Sequence, residues 1–128
     1  MKVKVKKILL ALTPLGGALR LESEEYFLEL YTVDPGIILS LDTVLNQRQA
    51  GERLPLPFIL RKLIPAGKVK EVYINKLDTN TGAYSAEMKL ENKTITVIPS
   101  AGILIAKIVG APIYFNTKLA KPLATMAG

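Results

Sequence analysis

The stretch Asp34-Pro35-Gly36-Ile37-Ile38-Leu39 has a counterpart 66 positions later, Ser100-Ala101-Gly102-Ile103-Leu104-Ile105. Gly36-Ile37 falls on Gly102-Ile103, and Ile38-Leu39 falls on the equally apolar Leu104-Ile105. Asp34 suits the N-cap and Pro35 is preorganised for the first helical position, so a helix begins there. Ser100 holds the matching place and is read as the cap of a second helix. Moving outward at the same offset, Lys2-Val3-Lys4 falls on Lys68-Val69-Lys70, Ile8 on Ile74, Thr13 on Thr79 and Gly16 on Gly82. An ungapped self-match with agreeing turn punctuation reads as an internal duplication, residues 1–66 and 67–128.

In the first copy, Lys2–Leu12 starts with period two and reads as a strand. Thr13 to Gly17 is a turn, and Ala18–Glu22 and Tyr26–Thr32 are strands around an acidic bend. The helix from Asp34 runs to about Gln49 and stops at Gly51, and a shorter one covers Phe58–Ile64 after Pro55 and Pro57. In the second copy, Val69–Leu77, Tyr84–Leu90 and Thr94–Val97 are strands, with a turn ending at Gly82. A helix follows from Ala101 to Val109, then an edge strand at Ile113-Tyr114-Phe115 and a short helix capped by Asn116-Thr117. Residues from Pro122 onward are expected to fray. Three strands and a helix cannot bury both faces alone. The expectation is one α+β domain over 1–128, a duplicated strand-strand-strand-helix unit. Its six strands would merge into a single mixed sheet, curved or barrel-like, covered by helices.

Composition bounds the chemistry. At 49% hydrophobic and 22% charged, the 128-residue chain is globular in type and long enough for a core. It has no cysteine, which excludes disulfides and thiolate metal sites, and no histidine, which removes the commonest general base and zinc ligand. No stretch approaches the ~20 apolar residues of a membrane span, and the Lys-Val alternation at the start is unlike a secretory leader. We expect a cytoplasmic protein with no membrane partner. Abundant Ile and Lys with no Cys or Trp is a thermophile-like composition.

The net charge of +6 is uneven, with no Asp or Glu after Glu91. Lys2, Lys4 and Lys6 alternate along one strand and Lys68 and Lys70 recur at the strand expected to pair with it. They are candidate phosphate contacts, or alternatively guards of a sheet edge. No aromatic residue interleaves with these lysines along the chain. Glu22, Glu24, Glu25 and Glu29 with Asp34 form the one acidic concentration able to hold Mg²⁺ or Mn²⁺, against the simpler reading of a solvated bend. Asp34 and Ser100, related by the repeat, either face each other near a pseudo-twofold axis or, on the simpler reading, serve only as helix caps. The consecutive apolar residues of both helices suggest burial on more than one side, hence a homo-oligomer, a dimer first.

Ile98-Pro99-Ser100-Ala101-Gly102-Ile103-Leu104-Ile105-Ala106 followed by Gly110-Ala111-Pro112-Ile113-Tyr114 resembles the R-P-S-D-A-I-A-L-A … G-A-P-I-Y of the bifunctional nuclease family. Those are small bacterial, archaeal and plant domains associated with DNA and RNA cleavage. Val69-x-x-Val72-x-Ile74-x-x-Leu77 with Tyr84-Ser85-Ala86-x-Met88-x-Leu90, and Arg53-Leu54-Pro55-Leu56-Pro57-Phe58-Ile59-Leu60, are similar to further family patterns. The resemblance implies a duplicated fold with a barrel-like sheet. It also implies a metal-dependent phosphodiesterase site near Thr96, Ile98, Pro99, Ser100, Ala101 and Tyr114. The departures fall on charge: Ile98 and Ala101 replace the family's Arg and Asp, Thr96 an Asp, and Pro57-Phe58 a His-Asp. Such a site would be weak or inactive, which leaves a non-catalytic binding module (nucleic acid, ligand or protein partner) as the alternative.

Overall fold

A computed structural model describes residues 1–47 and 52–124. Along the chain run β1 (Lys2–Lys4), β2 (Lys7–Thr13), β3 (Gly16–Glu22), β4 (Tyr26–Val33), α1 (Pro35–Leu45) and α2 (Leu56–Leu63). Then come β5 (Val69–Leu77), β6 (Tyr84–Leu90), β7 (Thr94–Val97), α3 (Pro99–Val109), β8 (Ile113–Asn116), a 3₁₀ turn (Thr117–Leu119) and β9 (Lys121–Pro122). The fold is mixed α+β. The order of three antiparallel strands and a helix occurs twice, as β2-β3-β4-α1 and β5-β6-β7-α3.

The strands do not merge into the single sheet expected. They form a five-stranded sheet, β1-β8-β5-β6-β7, and a four-stranded one, β2-β3-β4-β9, neither closed into a barrel. The cause lies at Val5-Lys6, where the strand expected from Lys2 to Leu12 divides. The Val5 N–H donates to the Ile113 carbonyl at 2.8 Å, and the Lys6 N–H donates to the Glu22 carbonyl at 2.7 Å. Successive N–H groups of an extended chain point to opposite sides, so β1 recruits β8 while β2 recruits β3. A second correction follows. Ile113–Asn116 is no edge strand: β8 lies between β1 and β5, antiparallel to the first and parallel to the second. β1 and β5 are therefore not neighbours, as the lysine repeat had implied.

Alternation along the strands turns Leu19, Leu21, Leu28 and Leu30 of one sheet and Val72, Ile74, Ala86, Met88 and Phe115 of the other into one core. Ile38 and Leu41 of α1 and Ile103 and Ala106 of α3 complete it, so both halves of the chain contribute. Each such large apolar side chain contributes about 1.5–3 kcal/mol on burial. α3 approaches its sheet closely at Gly102, where a Cβ would come within 3.0 Å of both Val72 Cγ1 and Val97 Cγ2. At Gly36 it would meet only Asp34 Oδ1, so close packing explains just one glycine of that pair.

Several boundaries move. α1 ends at Leu45, where the Asn46 amide donates back to the Asp42 carbonyl and carboxylate; the expected stop at Gly51 lies outside the described residues. α2 starts at Leu56, two residues early. Pro122, expected to fray, pairs with Tyr26, and the Leu123 N–H donates to the Glu25 carbonyl at 2.8 Å. Among the described residues no helix is long and apolar enough to cross a membrane.

Candidate functional site

The N-termini of α1 and α3 open on a common cleft of about 500 Å³. Tyr31, Thr32 and Asp34 line it from β4 and the start of α1; Tyr84, Ile98 and Ser100 line it from β6 and the start of α3. Asp34 and Ser100 thus line one cavity. The two helix starts differ, however. Asp34 caps α1, its Oδ1 accepting the Gly36 N–H at 2.7 Å. Ser100 caps nothing: Ile98 is the N-cap of α3 and Pro99 takes the first helical position. A proline at that position brings its fixed φ with it, so the helix starts ahead of the serine. The Ser100 residue is 6% exposed, and its side chain makes no capping hydrogen bond at the start of α3. Thr32 enters the cleft with φ of 54°, a left-handed backbone uncommon for a β-branched residue. The Tyr31 phenol is held above its usual pKa, chiefly by its hydrogen bond to the Glu29 carboxylate.

Of the six positions implied by resemblance, Ile98, Pro99, Ser100 and Ala101 line this cleft. The other two do not. Thr96 stands on β7 opposite Glu87, and Tyr114 lies on β8 opposite Lys4. Nor does the acidic stretch assemble a metal site. Glu22 pairs with Arg20 at 2.8 Å and Glu24 with Lys6 at 2.8 Å, while Asp34 is occupied in capping. The hydrogen bond to Lys6, then its charge, lowers the Glu24 pKa. Among the described residues no group of three or more acidic, histidine or cysteine side chains could hold an ion. Asp34, the one carboxylate lining the cleft among the described residues, is already engaged, so the donor set there does not fit the divalent metal that phosphodiester hydrolysis calls for.

The basic residues sort differently from the sequence reading. Lys2 is tied to Glu71 and Lys6 to Glu24. Lys68 precedes β5 and Lys70 lies within it, separated from β1 by β8. Five lysines therefore do not form one strip. The sheet also supplies what the chain order lacked: Lys2 Nζ sits 4.8 Å from the Tyr73 ring centre and 4.7 Å from that of Tyr114. These tyrosines are cross-strand partners on β5 and β8.

A basic surface does exist, at the opposite end of α3 from the cleft. Two adjoining grooves of about 440 and 400 Å³ share Lys107 and Gly110 as lining residues. Arg61 lines the first and Lys4 and Tyr114 the second, and among the described residues no Asp or Glu lines either. Arg61 Nε donates to the Ile108 carbonyl at 3.0 Å and so serves the end of α3. Lys4, Arg61 and Lys107 form no ion pair among the described residues. Sequence reasoning singled out Lys4 but missed Lys107 and Arg61. The available signal was Lys107 itself, the one charged residue in the otherwise apolar α3. No family model matches the chain, and no curated protein matches it either.

Proposed function

We propose that this chain is a non-catalytic, cytoplasmic nucleic-acid-binding domain, a divergent relative of the bifunctional nucleases, which holds single-stranded nucleic acid along the groove of Lys4, Lys107 and Arg61. One observation carries the reading: among the described residues, three cations without ion-pair partners line adjoining grooves that no carboxylate lines. Cations left unpaired in a protein of net charge +6 raise the local potential and attract a polyanion. Tyr114 at one end offers a ring against which a base can stack. Grooves of this size suit an extended single strand better than a duplex. The non-catalytic part rests on the donor set of the helix-terminal cleft, whose single capping carboxylate supports neither metal binding nor water activation.

The test is fluorescence anisotropy with labelled oligo-dT and oligo-U. Two or three neutralised phosphates predict a log–log salt slope of roughly −1.4 to −2.1 for single strands. Lys4→Ala and Lys107→Ala should each weaken binding and flatten that slope, whereas Lys68→Ala and Lys70→Ala should not. Salt-independent binding, or none at low salt, rejects the groove. Chelator-sensitive cleavage of either oligonucleotide in Mg²⁺ or Mn²⁺ rejects the non-catalytic assignment and restores the nuclease.

A further inference from the structure

The two sheets have four edges, and three are short. β9 has two residues, β7 has four, and β1 has three with Lys2 and Lys4 among them. Brevity and lysine are devices that stop a strand from pairing with another chain. The fourth edge, β2, has seven residues, Lys7-Ile8-Leu9-Leu10-Ala11-Leu12-Thr13, and its one lysine stands at the very first position. No charge, proline or glycine occurs from Ile8 to Thr13. β2 pairs with β3 at every position without a bulge, so it is regular along its whole length. On its other side no backbone hydrogen bond is made among the described residues. Leu9 is 40% exposed and Leu12 54%, and Leu39 is 56% exposed on α1, the helix that packs against β2.

We propose that β2 is the contact strand of a homodimer, pairing antiparallel with β2 of a second copy about a twofold axis at Leu10. A second copy fits because the edge is self-complementary in charge. In the antiparallel register Lys7 of each chain lies opposite Thr13 of the other, which keeps the two lysines about 20 Å apart. A parallel register would bring them together. The two four-stranded sheets then join into one of eight strands. Ladder bonds alone bury less than the ~1,600 Å² of a stable interface; the exposed leucines of β2 and α1 extend it. Since each copy carries +6, salt strengthens this contact while weakening nucleic-acid binding, so the two proposals fail separately.

Sedimentation velocity of the full chain over a concentration series tests the interface, with far-UV circular dichroism confirming that each variant folds. The unmodified protein should dimerise, and Ala11→Lys or Leu9→Lys should raise the dissociation constant at least tenfold. Leu63→Lys, on the exposed face of α2, should leave it unchanged. Hydrogen exchange of the unmodified protein needs no variant: β2 amides should gain protection as concentration rises. A monomer at every concentration overturns the proposal. So does a dimer that Leu63→Lys disrupts, or one that forms without protecting β2.

Discussion

Gly17 shows how much a single hydrogen decides. A Cβ there would stand 2.4 Å from Ile38 Cγ1 and 2.9 Å from the Val33 carbonyl oxygen. The isoleucine can rotate away, but the carbonyl belongs to a neighbouring strand and cannot. Gly17→Ala is predicted to cost about 1–3 kcal/mol through overpacking. Gly82 has open space around it but φ of +75°, so Gly82→Ala should cost about 1 kcal/mol through backbone strain alone. Urea unfolding of the pair checks the ranking, and a costlier Gly82→Ala would contradict it. Glu24 gives a second residue-scale prediction. Its pKa lies below the ordinary carboxylate value because Lys6 bonds to it. A depressed folded-state pKa stabilises the fold above the unfolded pKa, and that contribution disappears as pH falls through the folded value. Lys6→Gln should return the Glu24 pKa upward and remove that acid-side dependence, which NMR titration of the Glu24 carboxyl resolves. A resonance that titrates identically in both proteins would show that Lys6 is not the cause.

At the scale of elements, the two helix starts appear equivalent in the sequence and differ in structure. Asp34→Ala removes a hydrogen-bonded cap and should cost about 1 kcal/mol. Ser100→Ala removes a hydroxyl that caps no helix, and should cost less than about 0.5 kcal/mol. Thermal unfolding of both variants separates them; equal losses would mean that Ser100 caps α3 after all. The sequence made most elements legible because their signals are local: alternation in β3 to β6, Asp34-Pro35 at the start of α1, and glycine at the turn of Gly82. The start of α3 was misleading, because Pro99, ahead of Ser100, begins it. What it hid depended on pairing. Whether Ile113–Asn116 forms an edge or a central strand depends on how β1 and β5 flank it, and period-two alternation carries no information on neighbours. The same holds for the site. Asp34 and Ser100 could be related through the repeat, but Lys4 comes opposite Tyr114, and the two line one groove with Lys107, only once β1 has paired with β8.

For the molecule as a whole, the shared core makes the halves interdependent. Phe115 of β8 is fully buried in the cluster that also takes in Leu21 and Leu41 from the first half. Phe115→Ala should cost about 3–5 kcal/mol, and one cooperative transition, not two, should describe unfolding of the variant in urea. Separate transitions for the two halves would refute a common core. The pairing of β1 with β8 has a further consequence, in time. On the ribosome β1 is made more than a hundred residues before its partner. At about 5–20 residues per second, it waits on the order of ten seconds for β8 to emerge. A longer, apolar strand left idle that long on a crowded polysome would invite entanglement with nascent neighbours. Alternating like charges on Lys2 and Lys4 make encounters between two unpaired copies of β1 repulsive.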